Sequence, residues 1–161
     1  MKKFTAFILA MVLAFTLVGC GKSGPQLTHN SVEDHANFEE ILLFDNEYCS
    51  CTVTNVYPSP NGDMDIYVRC QNKMPDAELE FDTDVETKND GVNGVSILPN
   101  FYMFVNEGET QNGVIRFSAA NLQNNNIAVD DISTITFDIM VISWSKWSDV
   151  PYARGEFTLE F

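Results

Sequence analysis

Basic side chains are scarce in this chain of 161 residues. Nine Lys and Arg stand against 23 Asp and Glu, and the formal net charge is −14 at pH 7. Nucleic acids and anionic lipid surfaces repel a protein of this charge, so we expect neither as a partner. Cations and basic proteins remain compatible with it.

Histidine is nearly absent as well. The two that occur, His29 and His35, lie in a polar stretch without hydrophobic periodicity, whereas a catalytic histidine is held by packing and by a partner that orients its ring. The chain also contains no nucleophile elbow, no zinc signature and no acid pair with an evident cleft. We therefore expect no catalytic residue, no cofactor and no resident metal.

No apolar run is long enough to span a bilayer. The longest, residues 4–18, is shorter than the roughly 20 residues that a transmembrane helix needs. It follows Lys2 and Lys3, and a positive start before a short apolar core is typical of an export signal. The remaining length corresponds to one domain and excludes a two-lobed binding protein of a transporter.

The segment Leu17-Val18-Gly19-Cys20 resembles the lipobox of bacterial lipoproteins. That resemblance implies cleavage after Gly19 and a diacylglyceryl thioether on the Cys20 sulfur. Two acyl chains anchor a protein stably, so we expect the mature protein on the extracytoplasmic side of the cell membrane. The domain bounds are then 1–19 for the signal peptide, 20–39 for a lipid-anchored tether and 40–161 for the folded domain. An ordinary secretory signal cut elsewhere is the alternative.

The same stretch contains Gly21-Lys22-Ser23, which matches the end of a phosphate-binding loop. The full motif, G-x-x-x-x-G-K-[ST], requires a glycine where the chain has Thr16. Pro25 also disfavours the helix that such a loop opens. We therefore reject a nucleotide site.

Short β-type runs separated by turn residues fill residues 40–161. Asn61-Gly62, between two alternating runs, is a strong hairpin signal. The pattern predicts eight or nine short strands and one short helix within 118–131. Such a chain is typical of an all-β fold, an antiparallel β-sandwich.

The domain contains the stretches VNGV (92–95), NEGET (106–110) before GVIRFS (113–118), IRFSAANL (115–122) and DDISTITFDIMV (130–141). Together they resemble the immunoglobulin-like domains of small lipoproteins from Gram-positive anaerobes, from about Ile41 to Phe161. The resemblance implies an immunoglobulin-like fold and an envelope location. Its motifs are structural, so it transfers no catalytic residue.

Segment 76–86 carries an acidic residue at every second position. The six are Asp76, Glu78, Glu80, Asp82, Asp84 and Glu86. Because side chains alternate across a strand, we expect these carboxylates on one solvent face. A solvated face is the favoured interpretation, with a docking face for a basic partner or a cation strip as alternatives. Calcium is disfavoured, because neighbours on one strand face lie about 6.6–7 Å apart and calcium takes oxygens at about 2.3–2.6 Å.

Three cysteines remain besides Cys20. A symmetric hairpin about Asn61 places Cys51 opposite or nearly opposite Cys70, on an inward face that Cys49 shares. A disulfide between Cys51 and Cys70 is plausible outside the cytoplasm. Buried free thiols are nevertheless favoured, because three thiols leave an odd one and bridges between adjacent strands demand particular geometry. Cys-x-Cys alone is a weak metal signal.

Trp144 and Trp147, near Tyr152, offer an aromatic platform for glycan stacking or protein docking. Packing is the stronger expectation, because Trp144 ends an alternating strand and a sandwich needs large core residues. The aromatic residues of FYMFV (101–105) are expected in the core for the same reason.

These observations predict a membrane-anchored lipoprotein whose sandwich is a non-catalytic binding module, with an envelope protein or a glycan as partner. Its interaction face would combine segment 76–86 with Trp144 and Trp147. A spacer lipoprotein without a specific ligand is the alternative, and an enzyme ranks third. A contiguous exposed patch rich in Trp or Tyr would favour the binding module.

Overall fold

A computed structural model describes residues 38–83, 90–146 and 151–161. Within these ranges the chain forms ten strands, one short helix and one 3₁₀ turn. The strands are β1 (Ile41–Asp45), β2 (Cys49–Pro58), β3 (Met64–Asn72), β4 (Leu79–Asp82), β5 (Gly91–Val92), β6 (Val95–Ser96), β7 (Tyr102–Val105), β8 (Thr110–Phe117), β9 (Thr134–Ile142) and β10 (Ala153–Glu160). The helix α1 is Ala119–Asn124, and the 3₁₀ turn is Val129–Asp131.

The first sheet contains β1, β2, β3 and β8 in that order, all antiparallel. Its centre is the β2–β3 hairpin, whose tip is closed by a hydrogen bond of 2.9 Å from Gly62 N to Ser59 O. Gly62 has a φ of +85°, a conformation that glycine adopts without steric cost. The predicted reversal at Asn61-Gly62 is confirmed, and Cys51 lies directly opposite Cys70.

The second sheet is built around β9. Along one side β9 pairs with β10, and along the other it pairs with β5 near its start and with β4 near its end. β6 flanks β5, and β7 flanks β4. The β5–β6 hairpin turns at Asn93 and Gly94 with φ of 52° and 76°, the positive values that a type I′ turn requires. This small hairpin raises the strand number above the eight or nine predicted.

The core lies between the sheets and takes alternate residues from each strand. β3 contributes Ile66 and Val68, and β9 contributes Phe137 and Ile139, all fully buried. Each such side chain contributes about 1.5–3 kcal/mol when it leaves water. The predicted all-β fold of antiparallel sheets with one short helix is confirmed at this level.

One buried side chain joins the two sheets. Asn72, at the end of β3, donates from Nδ2 to the carbonyls of Ala77 at 2.7 Å and Val105 at 2.9 Å. Its Oδ1 accepts from the backbone N–H of Met74 at 2.9 Å. Val105 ends β7, so these three bonds fix the point where the chain crosses from the first sheet into the second.

Helix α1 follows β8 and lies within the predicted range 118–131. Ser118 Oγ accepts from Asn121 N at 3.2 Å as its N-cap, and Leu122 is buried in the core. The Asp63 carboxylate, at the tip of the β2–β3 hairpin, accepts from Ala119 N at 2.8 Å. No helix in the described part of the chain is both long and apolar enough to cross a membrane.

The strand predicted over 77–87 is shorter in the structure, where β4 covers Leu79–Asp82. Several residues singled out in the sequence lie outside the described ranges. These are Cys20, His29, His35, Asp84, Glu86 and Trp147.

Candidate functional site

The outer face of the second sheet brings acidic and aromatic side chains together. In the register of β4 and β7, Glu80 lies opposite Phe104 and Asp82 opposite Tyr102. Because the alternate residues of β4 are in the core, these four side chains point away from it. Trp144 follows β9 and joins them. We call Glu80, Asp82, Tyr102, Phe104 and Trp144 the aromatic–acidic face.

Its three aromatic side chains are exposed. Trp144 is 60% exposed, Tyr102 57% and Phe104 37%. The expectation that they pack in the core is therefore wrong, whereas Phe101 is buried as predicted. For Tyr102 and Phe104 the physical reason is alternation along β7, which places Met103 and Val105 against the core. Trp144 lies beyond the end of β9 at Ile142.

Glu80 departs from the predicted row of solvated carboxylates. The structure leaves Asp76 and Glu78 exposed and Asp82 half-buried, but Glu80 is only 4% exposed. The indole N–H of Trp144 donates to Glu80 Oε2. The expectation of a fully solvated strip is wrong at this position, because the tryptophan of a distant segment covers the carboxylate and supplies a donor.

The surroundings of the face are predominantly negative. The pKa of the Tyr102 phenol is raised, first by partial desolvation and then by three carboxylates of the acidic segment. Those carboxylates belong to Glu80, Asp82 and Glu78. The base Lys146 at the border forms an ion pair with Asp76. Arg154, on β10, is in register with Met140 of β9, and Met140 is in register with Asp82 of β4, so a cation also lies on this outer face.

The outer face of the first sheet is organised differently. Arg116 on β8 donates from Nε and Nη2 to the two carboxylate oxygens of Asp65, each at 2.7 Å. The Asp65 side chain is 1% exposed, and its hydrogen bonds raise the pKa of the Arg116 guanidinium. Arg69 donates in the same way to both oxygens of Glu40. Sequence reasoning missed these pairs, because they join residues far apart in the chain.

Two tyrosines also stack on this first face. The rings of Tyr57 and Tyr67 have centroids 4.6 Å apart and planes inclined by 20°. Hydrogen bonding with Tyr57 is the main cause that raises the pKa of Tyr67 to about 12. Both rings are half-buried, whereas Tyr102 and Trp144 on the second sheet are more than half exposed.

The predicted cysteine arrangement is present beneath the first sheet. Cys49, Cys51 and Cys70 are all buried free thiols, and the Sγ atoms of Cys51 and Cys70 are 3.4 Å apart. Burial raises the pKa of Cys49 to about 12, and hydrogen bonding with Cys51 together with burial raises that of Cys70. Thiols of this kind are poor nucleophiles near neutral pH. The Cys51–Cys70 disulfide stays a prediction.

No metal-binding cluster is found in residues 38–83, 90–146 and 151–161, where no three His, Cys, Asp or Glu side chains are arranged to hold an ion. The cation strip considered from the sequence includes Asp84 and Glu86, which lie outside the described residues.

No family model, no curated protein and no solved structure matches this chain. Function is therefore inferred from the chain's own residues.

Tyr102 and Phe104 are the candidate residues that sequence reasoning assigned to the wrong side. The signal that could have found them is the period of two in FYMFV (101–105), which puts Phe101, Met103 and Val105 on one side and the other two on the opposite side. Hydrophobicity alone gave the opposite assignment for Tyr102 and Phe104.

Proposed function

We propose that this protein is a membrane-anchored, extracytoplasmic lipoprotein whose immunoglobulin-like sandwich is a non-catalytic binding module. The observation that carries the proposal is the aromatic–acidic face, where Trp144 and Tyr102 are more than half exposed. Exposed aromatic rings beside polar groups are the side chains that dominate binding energy once a partner covers them. An envelope protein or a glycan at the cell surface would be that partner.

The strand order supports an immunoglobulin-like fold. β3 lies between β2 and β8 in one sheet, and β9 lies between β10 and β4 in the other. Immunoglobulin strands are lettered in chain order. With that lettering, β2, β3 and β8 correspond to the neighbours A, B and E of one sheet. In the other sheet, β10, β9 and β4 correspond to the neighbours G, F and C. Immunoglobulin domains divide their strands between two sheets in this way.

The anchoring part rests on the export signal and on the LVGC motif that ends at Cys20. Mass analysis of the mature N-terminus should find a diacylglyceryl group on Cys20. Cys20→Ser should release the chain from the membrane fraction, whereas the neighbouring Ser23→Ala should leave it there. An unmodified Cys20, or a cytoplasmic protein, would overturn the location.

The binding part is tested by site-specific photo-cross-linking in intact cells. A photoreactive amino acid at Tyr102 probes the aromatic–acidic face, and the same group at Leu42 is the matched control. Leu42 is 59% exposed on the outer face of the first sheet. We expect discrete adducts from position 102 and none from position 42. No adduct from either position would instead indicate a spacer lipoprotein.

A further inference from the structure

We infer that the aromatic–acidic face takes an extended protein segment with Lys or Arg at alternate positions. The inference rests on the proposed binding function and assigns the chemistry of the partner. Three features carry it: the angle between two rings, the carboxylates behind them and the spacing along β7.

The first feature is the angle between Tyr102 and Phe104. Their ring centroids are 5.1 Å apart, and the ring planes are inclined by 82°. In this edge-to-face contact the faces of the edge-on ring are not covered by its partner ring. An ammonium or guanidinium over such a face lies within about 6 Å of the ring centroid, which is the range of cation–π attraction. Two perpendicular rings offer no continuous flat platform for a glycan, so the geometry favours a cation.

The second feature is the row of carboxylates behind the rings. Glu80 and Asp82 occupy the cross-strand positions opposite Phe104 and Tyr102, where facing Cβ atoms are about 4.5–5.5 Å apart. The raised pKa of Tyr102 indicates that these negative charges act on the ring. A cation at the rings is thus attracted by the π faces and by the carboxylates, whereas an anionic partner is repelled. The net charge of −14 acts in the same direction.

The third feature is the spacing of the two residues along the strand. The Cα atoms of Tyr102 and Phe104 are about 6.6–7 Å apart, although their ring centroids approach to 5.1 Å. Alternate residues of an extended segment have the same Cα spacing, so a Lys-x-Lys or Arg-x-Arg sequence can stay in register with Tyr102 and Phe104. Among the strands in the described ranges, β7 pairs with β4 alone. An extended segment can therefore add along its other edge as a further strand.

The test uses the full chain and a fluorescent peptide of about ten residues in which Thr and Lys alternate. Binding of the peptide is measured by fluorescence anisotropy at low and at high salt. A peptide of the same composition with its lysines in one block tests the spacing, and cellohexaose tests a glycan. The protein variants are Tyr102→Ser and Phe104→Ser, with Leu42→Ser as the control on the first sheet. Circular dichroism confirms that each variant is folded.

We expect the alternating peptide to bind more tightly than the block peptide. Removal of each ring should weaken its binding by about two- to fivefold, and Leu42→Ser should leave it unchanged. Equal binding to all variants would mean unspecific attraction to an acidic protein and would overturn the inference. Binding of cellohexaose instead of the peptide would overturn the partner class but leave the binding function intact. If no probe binds and no cross-link forms at position 102, the proposed function itself fails.

Discussion

The two sheets bury similar apolar rows but present different surfaces to solvent. On the first sheet the charged side chains pair within the face, as Asp65 does with Arg116, and two tyrosines stack on each other. On the second sheet Tyr102 and Trp144 are more than half exposed beside carboxylates. Both surfaces have internal contacts, but the aromatic rings of the second are the more exposed to solvent.

This difference separates residues expected to stabilise the fold from residues of the proposed binding face. A buried polar group with its partner inside the fold contributes to the free energy of unfolding, because removal of the partner leaves it unsatisfied. An exposed ring contributes little to that free energy until a partner covers it. Substitutions on the two faces should therefore change different measurements.

Removal of Arg116 should produce the largest effect. Arg116→Met leaves the buried Asp65 carboxylate without two donors, and we expect the free energy of unfolding to fall by about 2–4 kcal/mol. Tyr102→Ser on the second face should change it by no more than about 0.5 kcal/mol. Urea denaturation measures both. Similar losses for the two variants would contradict the contrast between the faces.

An intermediate effect is expected at Trp144, whose ring also satisfies a buried group of the second face. Trp144→Phe keeps an aromatic ring but removes the N–H that donates to Glu80, so the free energy of unfolding should fall by about 1 kcal/mol. Glu80→Gln retains an acceptor for the indole and serves as the control. A Trp144→Phe protein as stable as the wild type would show that the hydrogen bond has no structural role.

The smallest effect concerns the ionisation of two tyrosines. The pKa of Tyr67, on the first face, is raised to about 12 chiefly by hydrogen bonding, and that of Tyr102 is raised by desolvation and by carboxylates. High salt should therefore lower the pKa of Tyr102 and leave that of Tyr67 nearly unchanged, since salt screens exposed charges. Ultraviolet difference titrations against Tyr67→Phe and Tyr102→Phe measure both values. An equal response to salt would contradict the assigned causes.

The same shifts fix the sign of the pH dependence. Both folded-state pKa values are raised above the ordinary value of 10.0, so the folded protein holds these protons more tightly than the unfolded chain does. Their contribution to stability is complete below about pH 10 and is lost as the pH rises through the folded-state values, about 12 for Tyr67.

Sequence patterns anticipated the local geometry better than the outer surfaces. The Asn61-Gly62 turn sets the β2–β3 register near the hairpin tip, so Cys51 was placed opposite or nearly opposite Cys70. A one-residue bulge between Val53 and Asn55 then brings the two cysteines into direct register. The alternation of segment 76–86 also placed Leu79 and Phe81 in the core. In both cases the information lies within one turn or one strand.

Features that depend on distant segments were not accessible in this way. Glu80 is covered by Trp144, which lies 64 positions later in the chain, and Asp65 is paired with Arg116, 51 positions later. Nothing near Glu80 or Asp65 in the sequence specifies which side chain the sheet pairing will bring to it. Two of the five residues of the aromatic–acidic face, Tyr102 and Phe104, could have been placed from alternation but were assigned by hydrophobicity instead.

The Asn72 side chain has a consequence for how the molecule melts. Its Nδ2 donates to the carbonyl of Val105 at the end of β7, while Asn72 itself ends β3, so β7 and the first sheet share a buried anchor. We therefore expect the two sheets to unfold in one cooperative transition rather than one after the other. Occupancy of one face should then raise the melting temperature of the whole described domain, because a ligand that binds only the native state stabilises all that unfolds with it.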